Sequence, residues 1–338
     1  MTRNLKGIFE QFAQQECHNS SPLYEQLSYA IAQDEAILRI AAQIPKEQPI
    51  PNLLFASVQY LLMTQEHPLR AFYPRFTDFV QSPMEAFPHF KDFVLTHTQE
   101  LAYLFATKRV QTNEVRRCAY LYPMLCDIFE QHKKPLALIE VGTSAGLQLG
   151  IDHYQFRYGD TTVGDQTSSL TLQSDNRGES LPKSIVKPFE VATRIGIDLR
   201  TMNVNEEEDL DWLKALIWPE HTDRLQLLNQ AVHITRELPI QLVDGDATKK
   251  LQRIAAQVPE QEMLVIFHTY VANQFSPEAK MNLMQSLIAI SKTRPVYHIY
   301  NNLYDEQLHQ DFLHEHQIEE IRRIDQAESH ARWFKWKN

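Results

Sequence analysis

Along this chain the spacing of apolar residues changes character once. Up to about residue 130, apolar positions recur at helical intervals. Leu5, Ile8, Phe9 and Phe12 open the pattern, Ser21-Pro22 supplies a helix start, and the pattern continues from Tyr29 to Ala42. Residues 51–63 are apolar on nearly every face and predict a buried helix, ended by His67-Pro68. Residues 88–104 and 113–132 predict two more helices.

Beyond residue 131, short apolar runs alternate with helical stretches. Leu136–Val141, Glu190–Leu199, Ile240–Val243, Met263–Tyr270 and Arg294–Tyr300 read as strands. A helix running to about Tyr154, then 209–218, 222–237, 248–257 and 276–292, read as the intervening helices. Residues 154–181 are rich in turn formers and read as a β-hairpin-like insertion. The alternation predicts an α/β fold with a doubly wound, mostly parallel sheet. The expected organisation is a helical domain over 1–130 and a sheet domain over 131–338.

Charge and composition narrow the classes of function. A net charge of −10 over 338 residues argues against non-specific nucleic-acid binding, which needs clustered lysine and arginine. The 3 cysteines form no C-x-x-C pair, so reduced thiols in a cytoplasm are expected. No run approaches the ~18 apolar residues of a membrane span, and the first residues lack the apolar core of a signal peptide. Nothing in the composition sets an oligomeric state.

The most informative stretch is Leu136-Ala-Leu-Ile-Glu140-Val-Gly142-Thr143-Ser144-Ala-Gly146. A buried strand runs into an acid, then into a loop whose glycines let a ligand approach the backbone. Four readings compete. An S-adenosylmethionine site of the acid-x-Gly-x-Gly-x-Gly kind places Glu140, Gly142, Ser144 and Gly146 on its positions, with Ser144 replacing the middle glycine. A dinucleotide site needs G-x-G-x-x-G, which is absent. A hydrolase elbow, G-x-S-x-G, is satisfied literally with Ser144 as nucleophile. The fourth reading is a plain strand-to-helix turn. The helical character of the preceding residues favours the first over the third, because an elbow needs earlier strands and an oxyanion loop.

Strand ends supply the other candidates. Asp198 after the second strand could take both ribose hydroxyls, and Asp246 in Gly245-Asp246-Ala247 could hold an adenine amino group. Each could equally cap a helix. His268 ends the fourth strand, in Phe267-His268-Thr269-Tyr270, where a general base would meet a substrate. Asn113, Glu114 and Arg117 precede the first strand and, with Tyr270, could line a substrate pocket. His314-Glu-His316 comes closest to a metal pair, but no third ligand is near in sequence, so no metal is expected.

The chain resembles a bacterial family of unknown function. The shared segments are Pro51-Asn-Leu-Leu-Phe-Ala, Thr112-Asn-Glu-Val, Glu140-Val-Gly-Thr-Ser-Ala-Gly-Leu, Gly196-Ile-Asp-Leu, Trp218-Pro-Glu, Gly245-Asp-Ala and Phe267-His-Thr. Thr143 and Gln148 stand where that family more usually has alanine and asparagine. The resemblance implies a bacterial cytoplasmic protein with a methyltransferase-like Rossmann domain, and supplies no activity. The expected function is methyl transfer from S-adenosylmethionine to a small molecule. Two alternatives stay open: a Ser144 hydrolase with His268 or His298 as base, and a ligand-binding protein without catalysis.

Overall fold

A computed structural model describes residues 4–111 and 114–338. Two compact units make up the chain: residues 1–112 with 206–226, and residues 113–205 with 227–338.

The first unit is helical. Its elements are α1 (Leu5–Phe12), α2 (Pro22–Ile31), α3 (Glu35–Ala41), α4 (Ile50–Leu62), α5 (Ala86–Thr96), α6 (Thr98–Thr107) and, from later in the chain, α8 (Glu207–Ala215). The apolar pattern of 29–42 is broken by Asp34, whose Oδ1 accepts the N–H groups of Ala36 (3.0 Å) and Ile37 (3.1 Å) and so starts a new helix. The pattern over 88–104 is likewise divided at His97, between α5 and α6. Helix α4 is buried as its composition required, and Phe55 at its centre stacks on Tyr24 with ring centroids 4.1 Å apart. Each such ring removed from water contributes roughly 1.5–3 kcal/mol.

Polar contacts fix α8 in this unit. The buried amide of Gln59 donates to Ala215 O (2.8 Å) and Ile217 O (2.7 Å), satisfying carbonyls left over at the end of α8. Glu220 accepts from Ser21 Oγ (2.6 Å) and from the Leu23 N–H (2.8 Å) at the start of α2.

The second unit holds the sheet. Its elements are α7 (Cys118–His132), β1 (Leu136–Val141), β2 (Gln155–Tyr158), β3 (Thr161–Gly164), β4 (Thr171–Gln173), β5 (Asp175–Asn176), β6 (Val191–Asp198), most of α9 (Thr222–Thr235), β7 (Gln241–Asp244), α10 (Ala247–Ala255), β8 (Met263–His268), α11 (Pro277–Ser291), β9 (Val296–Tyr300), β10 (Leu308–His314), β11 (Gln317–Ile324) and β12 (Trp333–Phe334). The seven-stranded sheet runs β11-β10-β9-β8-β1-β6-β7 and is parallel except at β10, which is antiparallel to both neighbours. Strands are added outward from β1 through β6 to β7. The chain then returns to the other side of β1 with β8, which makes the β1/β8 boundary the switch point of the sheet. One face packs Ala137, Ile139, Ile195, Leu264, Ile266 and Val296 against Leu251 and Ile254 of α10 and Leu283 and Leu287 of α11. In the 154–181 segment, β2 pairs with β3 antiparallel and β4 joins on the other side of β2.

Two local features differ from the sequence expectation. The segment after the glycine loop, Leu147–His153, is a 3₁₀ helix. Tyr154 folds back and its hydroxyl donates to Leu147 O (2.5 Å), taking the acceptor that an α-helix would offer to Ile151. The β10–β11 hairpin also went unpredicted. Its two-residue turn is Glu315-His316, both left-handed (φ 49° and 70°), without the Asn-Gly signal such turns usually carry.

The Gln59 contact yields a test of the first unit. Gln59→Leu keeps the buried volume and strands two carbonyls, so stability should fall by roughly 1–3 kcal/mol. Urea unfolding read by circular dichroism detects this as a lower midpoint. An unchanged midpoint would show that the amide does not hold α8.

Candidate functional site

At the switch point, β1 opens into the glycine loop. Gly142, Ser144 and Gly146 all have left-handed backbones, with φ of 74°, 53° and 73°. The loop is tied to the end of β6. The N–H of Gly142 donates to Ile197 O at 2.7 Å. The Ser144 N–H donates to Asp198 Oδ2 at 2.8 Å, and Ser144 O accepts from Met202 N at 2.9 Å. The glycines make room for the protein's own chain. A Cβ on Gly142 would collide with the side chain of Val271, in the segment after β8, and one on Gly196 would lie 2.6 Å from the Thr143 side chain.

Acids gather at the carboxyl ends of these strands. Glu140 is buried, and Thr143 Oγ1 donates to its Oε2 at 2.6 Å. Burial pushes the Glu140 carboxyl up to about 8. Asp246 caps α10: its Oδ1 accepts from Thr248 N (2.9 Å) and Thr248 Oγ1 (2.7 Å), and its Oδ2 lies 3.5 Å from Lys249 Nζ. Asp244, two residues earlier, was not singled out from sequence. It accepts from the N–H and hydroxyl of Thr201, both at 2.7 Å, and so anchors the loop after β6. Those Thr201 bonds hold its carboxyl below the usual range.

A second polar group lies on the other side of the loop. Glu114, Arg117 and Tyr270 are brought together there, while Asn113 lies outside the described residues. Arg117 is buried; its Nη1 donates to Thr269 O (3.2 Å), its Nε to Ser329 O (2.9 Å), and its guanidinium sits 4.2 Å over the Tyr270 ring. No carboxylate among the described residues is ion-paired with Arg117. Tyr270 takes a left-handed φ of 56°, and its N–H donates to Asn301 Oδ1 at 2.7 Å. Glu114 Oε2 lies 3.0 Å from His330 Nδ1. Buried Gln148 bridges the group to the loop's own helix, donating to Glu114 O (3.2 Å) and lying 3.3 Å from Thr269 Oγ1. Thr269 and His330 were also not singled out from sequence, and Gln148 was noted only as a departure from the family's usual asparagine. His330 is far away in the chain, and Gln148 reads simply as a helix residue.

His268 is fully buried at the end of β8, and neither ring nitrogen has a hydrogen-bond partner. Burial, reinforced by Lys280, takes its pKa down to about 3, so the imidazole is neutral at physiological pH. Its neighbours are rings: His298 at 5.2 Å, Tyr300 at 5.9 Å and Phe275 at 6.5 Å between centroids. His298 is also without a hydrogen-bond partner at either nitrogen, so neither imidazole is bonded to Ser144.

The enclosure of Glu140 gives a pH signature. Its folded pKa lies above the ordinary value of 4.5, so folding favours the protonated form. The stability it confers is complete below that ordinary value and is lost as pH rises towards about 8, at up to ~1.4 kcal/mol per pH unit. Glu140→Gln should remove this component. Urea midpoints at pH 5.5, 7 and 8.5 should show the wild type losing stability relative to Glu140→Gln as pH rises. Parallel profiles would show that the carboxyl ionises in the folded chain at its ordinary value.

Comparison with known proteins places the chain but not its chemistry. No curated protein and no solved structure matches it. A family described as an uncharacterized protein conserved in bacteria matches residues 6–336. Nearly the whole chain, both compact units included, is thus covered, and the protein belongs to that conserved bacterial family, DUF2332.

Proposed function

We propose that the second unit binds S-adenosylmethionine at the loop after β1 and transfers its methyl group to a small acceptor. The observation that carries this reading is the bond from the Ser144 N–H to Asp198 (2.8 Å), which joins the glycine loop to the acid ending the neighbouring strand. A nucleoside at a switch point needs that pairing: a loop for the charged end and a carboxylate for the ribose hydroxyls. Asp246, at the start of α10 after the next strand, stands where the base would come.

The donor set suits such a ligand. Asp198 would accept the ribose hydroxyls, Asp246 an exocyclic amine, and the loop amides would face the amino-acid end. The bound sulfonium supplies an activated methyl group, so the chain's task is to place the acceptor. Arg117 and Tyr270 provide a fixed cation and an aromatic face for that purpose. An arginine buried without a carboxylate partner favours an acceptor bearing a carboxylate or phosphate. A neutral His268 is compatible with this chemistry, which needs no strong base.

The left-handed backbone of Ser144 is also what a nucleophile elbow requires. A hydrolase would further need an imidazole bonded to that hydroxyl, and His268 and His298 both lack such a bond.

Calorimetry with S-adenosylmethionine and S-adenosylhomocysteine tests the proposal. Asp198→Asn keeps an oxygen for the Ser144 N–H but removes the charge, and should weaken both ligands about tenfold or more at unchanged melting temperature. Absence of binding heat from either ligand in the wild-type protein sinks the reading. A fluorophosphonate adduct on Ser144, found by mass spectrometry, would replace it with the hydrolase. Gly142→Val is a poor probe, since its side chain would collide with Val271 and disturb packing as well as binding.

A further inference from the structure

Away from the glycine loop, the sheet carries a second cluster. His309, Asp311 and Glu320 each offer a donor atom within 4.8 Å of the others. His309 and Asp311 are two apart on β10 and so share a face; both are buried. Glu320 comes from β11. A bulge between Gln310 and Asp311 shifts the register so that Asp311 faces Glu320 rather than Ile321. Two carboxylates therefore stand directly opposite each other across a strand pair, an arrangement that is destabilising by itself.

The charges that touch His309 are carboxylates. His309 Nδ1 lies 3.0 Å from Glu320 Oε2, and its Nε2 lies 2.9 Å from Asp305 Oδ1. Three carboxylates thus surround one imidazole. No lysine or arginine among the described residues is ion-paired with Asp305, Asp311 or Glu320; Arg323, opposite His309 on β11, pairs with Asp325 (3.4 Å) and acts on Asp305 only at longer range. Tyr300 donates its hydroxyl to Asp311 at 3.0 Å, and its ring stacks on His309 at 5.0 Å. Independently, His298 is the cross-strand partner of Asp311 on the same face. It is fully buried, stacks on Tyr300 at 4.3 Å, and has no hydrogen-bond partner at either nitrogen.

We propose that His309, Asp311 and Glu320 form a binding site for a first-row divalent metal ion, zinc or manganese. One imidazole with two carboxylates is a nitrogen–oxygen donor set suited to these ions. The contact from Asp305 to His309 Nε2 is the carboxylate–histidine relay that orients a metal-bound imidazole and leaves Nδ1 as the ligand. A divalent ion would offset the excess of negative charge that three carboxylates leave against His309 and the more distant Arg323. Three protein ligands leave at least one coordination position for water or a ligand. The half-exposed side chain of Glu320, on the edge strand, opens that position to solvent.

The test uses the full chain after EDTA treatment and dialysis, without any nucleoside, so that its outcome is separate from the methyl-transfer reading. Titration with Zn²⁺ and with Mn²⁺ should show one site and a raised melting temperature for at least one ion. Glu320→Gln should weaken binding at least ~10-fold, and Asp305→Asn by ~10–100-fold. Asp311→Asn should abolish binding; if that variant fails to fold, Glu320→Gln decides, since its side chain is half exposed. His314→Ala/His316→Ala, which removes the exposed histidines of the β10–β11 turn, should bind as wild type. Neither heat nor a melting shift with either ion would overturn the proposal and leave an ion-pair network centred on His309. Wild-type affinity in Glu320→Gln and Asp305→Asn would overturn it as well.

Discussion

The second unit depends on one strand that water does not reach. Every residue of β1 is buried, and the strand has parallel neighbours on both edges, β6 and β8. A parallel central strand cannot be half solvated, so its residues must be apolar nearly throughout. The exception is Glu140, and it yields its charge: enclosed and accepting the Thr143 hydroxyl, it is pushed towards about 8. The same burial dictates the loop at the strand's end. The chain must turn sharply between β6 and β8 without leaving a void, which explains why Val271 and Thr143 sit where side chains on Gly142 and Gly196 would otherwise be. The candidate site is therefore a by-product of packing before it is anything else.

That order of causes explains what the sequence could and could not disclose. The parallel strands and their helices were legible because their burial is written in period and composition: β1, β6, β8 and β9 lie within a few residues of the apolar runs that predict them. The glycine loop was legible because few residues tolerate its left-handed turns. The segment 206–226 was not legible as part of the first unit. Its helices look like any others in a βαβ succession, and only contacts such as Gln59 to Ala215 reveal where it packs.

Strand β10 was missed for a different reason. Leu308-His-Gln-Asp-Phe-Leu-His314 is mostly buried yet reads as polar, because its interior positions carry His309, Gln310 and Asp311. A rule that equates burial with apolar composition discards such a strand. The cost of burying those groups is met by partners from elsewhere: Tyr300 and Glu320 for two of them. The histidine pair nearest to ligand spacing in the sequence, His314 and His316, was expected to hold no metal and lies at an exposed turn, whereas the proposed donors sit two apart on a strand and across a hairpin. Spacing along a chain finds ligands on helices more readily than ligands assembled by a bulge.

Buried ionisable groups in this unit are accommodated in two ways, by a change of charge or by polar contacts. Glu140 takes up a proton, and His268 and His298 lose theirs, each in answer to desolvation. Buried Arg117 is held by the carbonyl oxygens of Thr269 and Ser329 and by the face of Tyr270. Carbonyl dipoles and a π face offset part of the cost of burying a cation, but they do not neutralise its charge. The left-handed Tyr270, fixed by Asn301, is therefore best understood as a support built for Arg117. On the proposed reading, that cation, with no carboxylate ion-paired to it among the described residues, would meet negative charge brought by a ligand beside the glycine loop at the sheet's switch point.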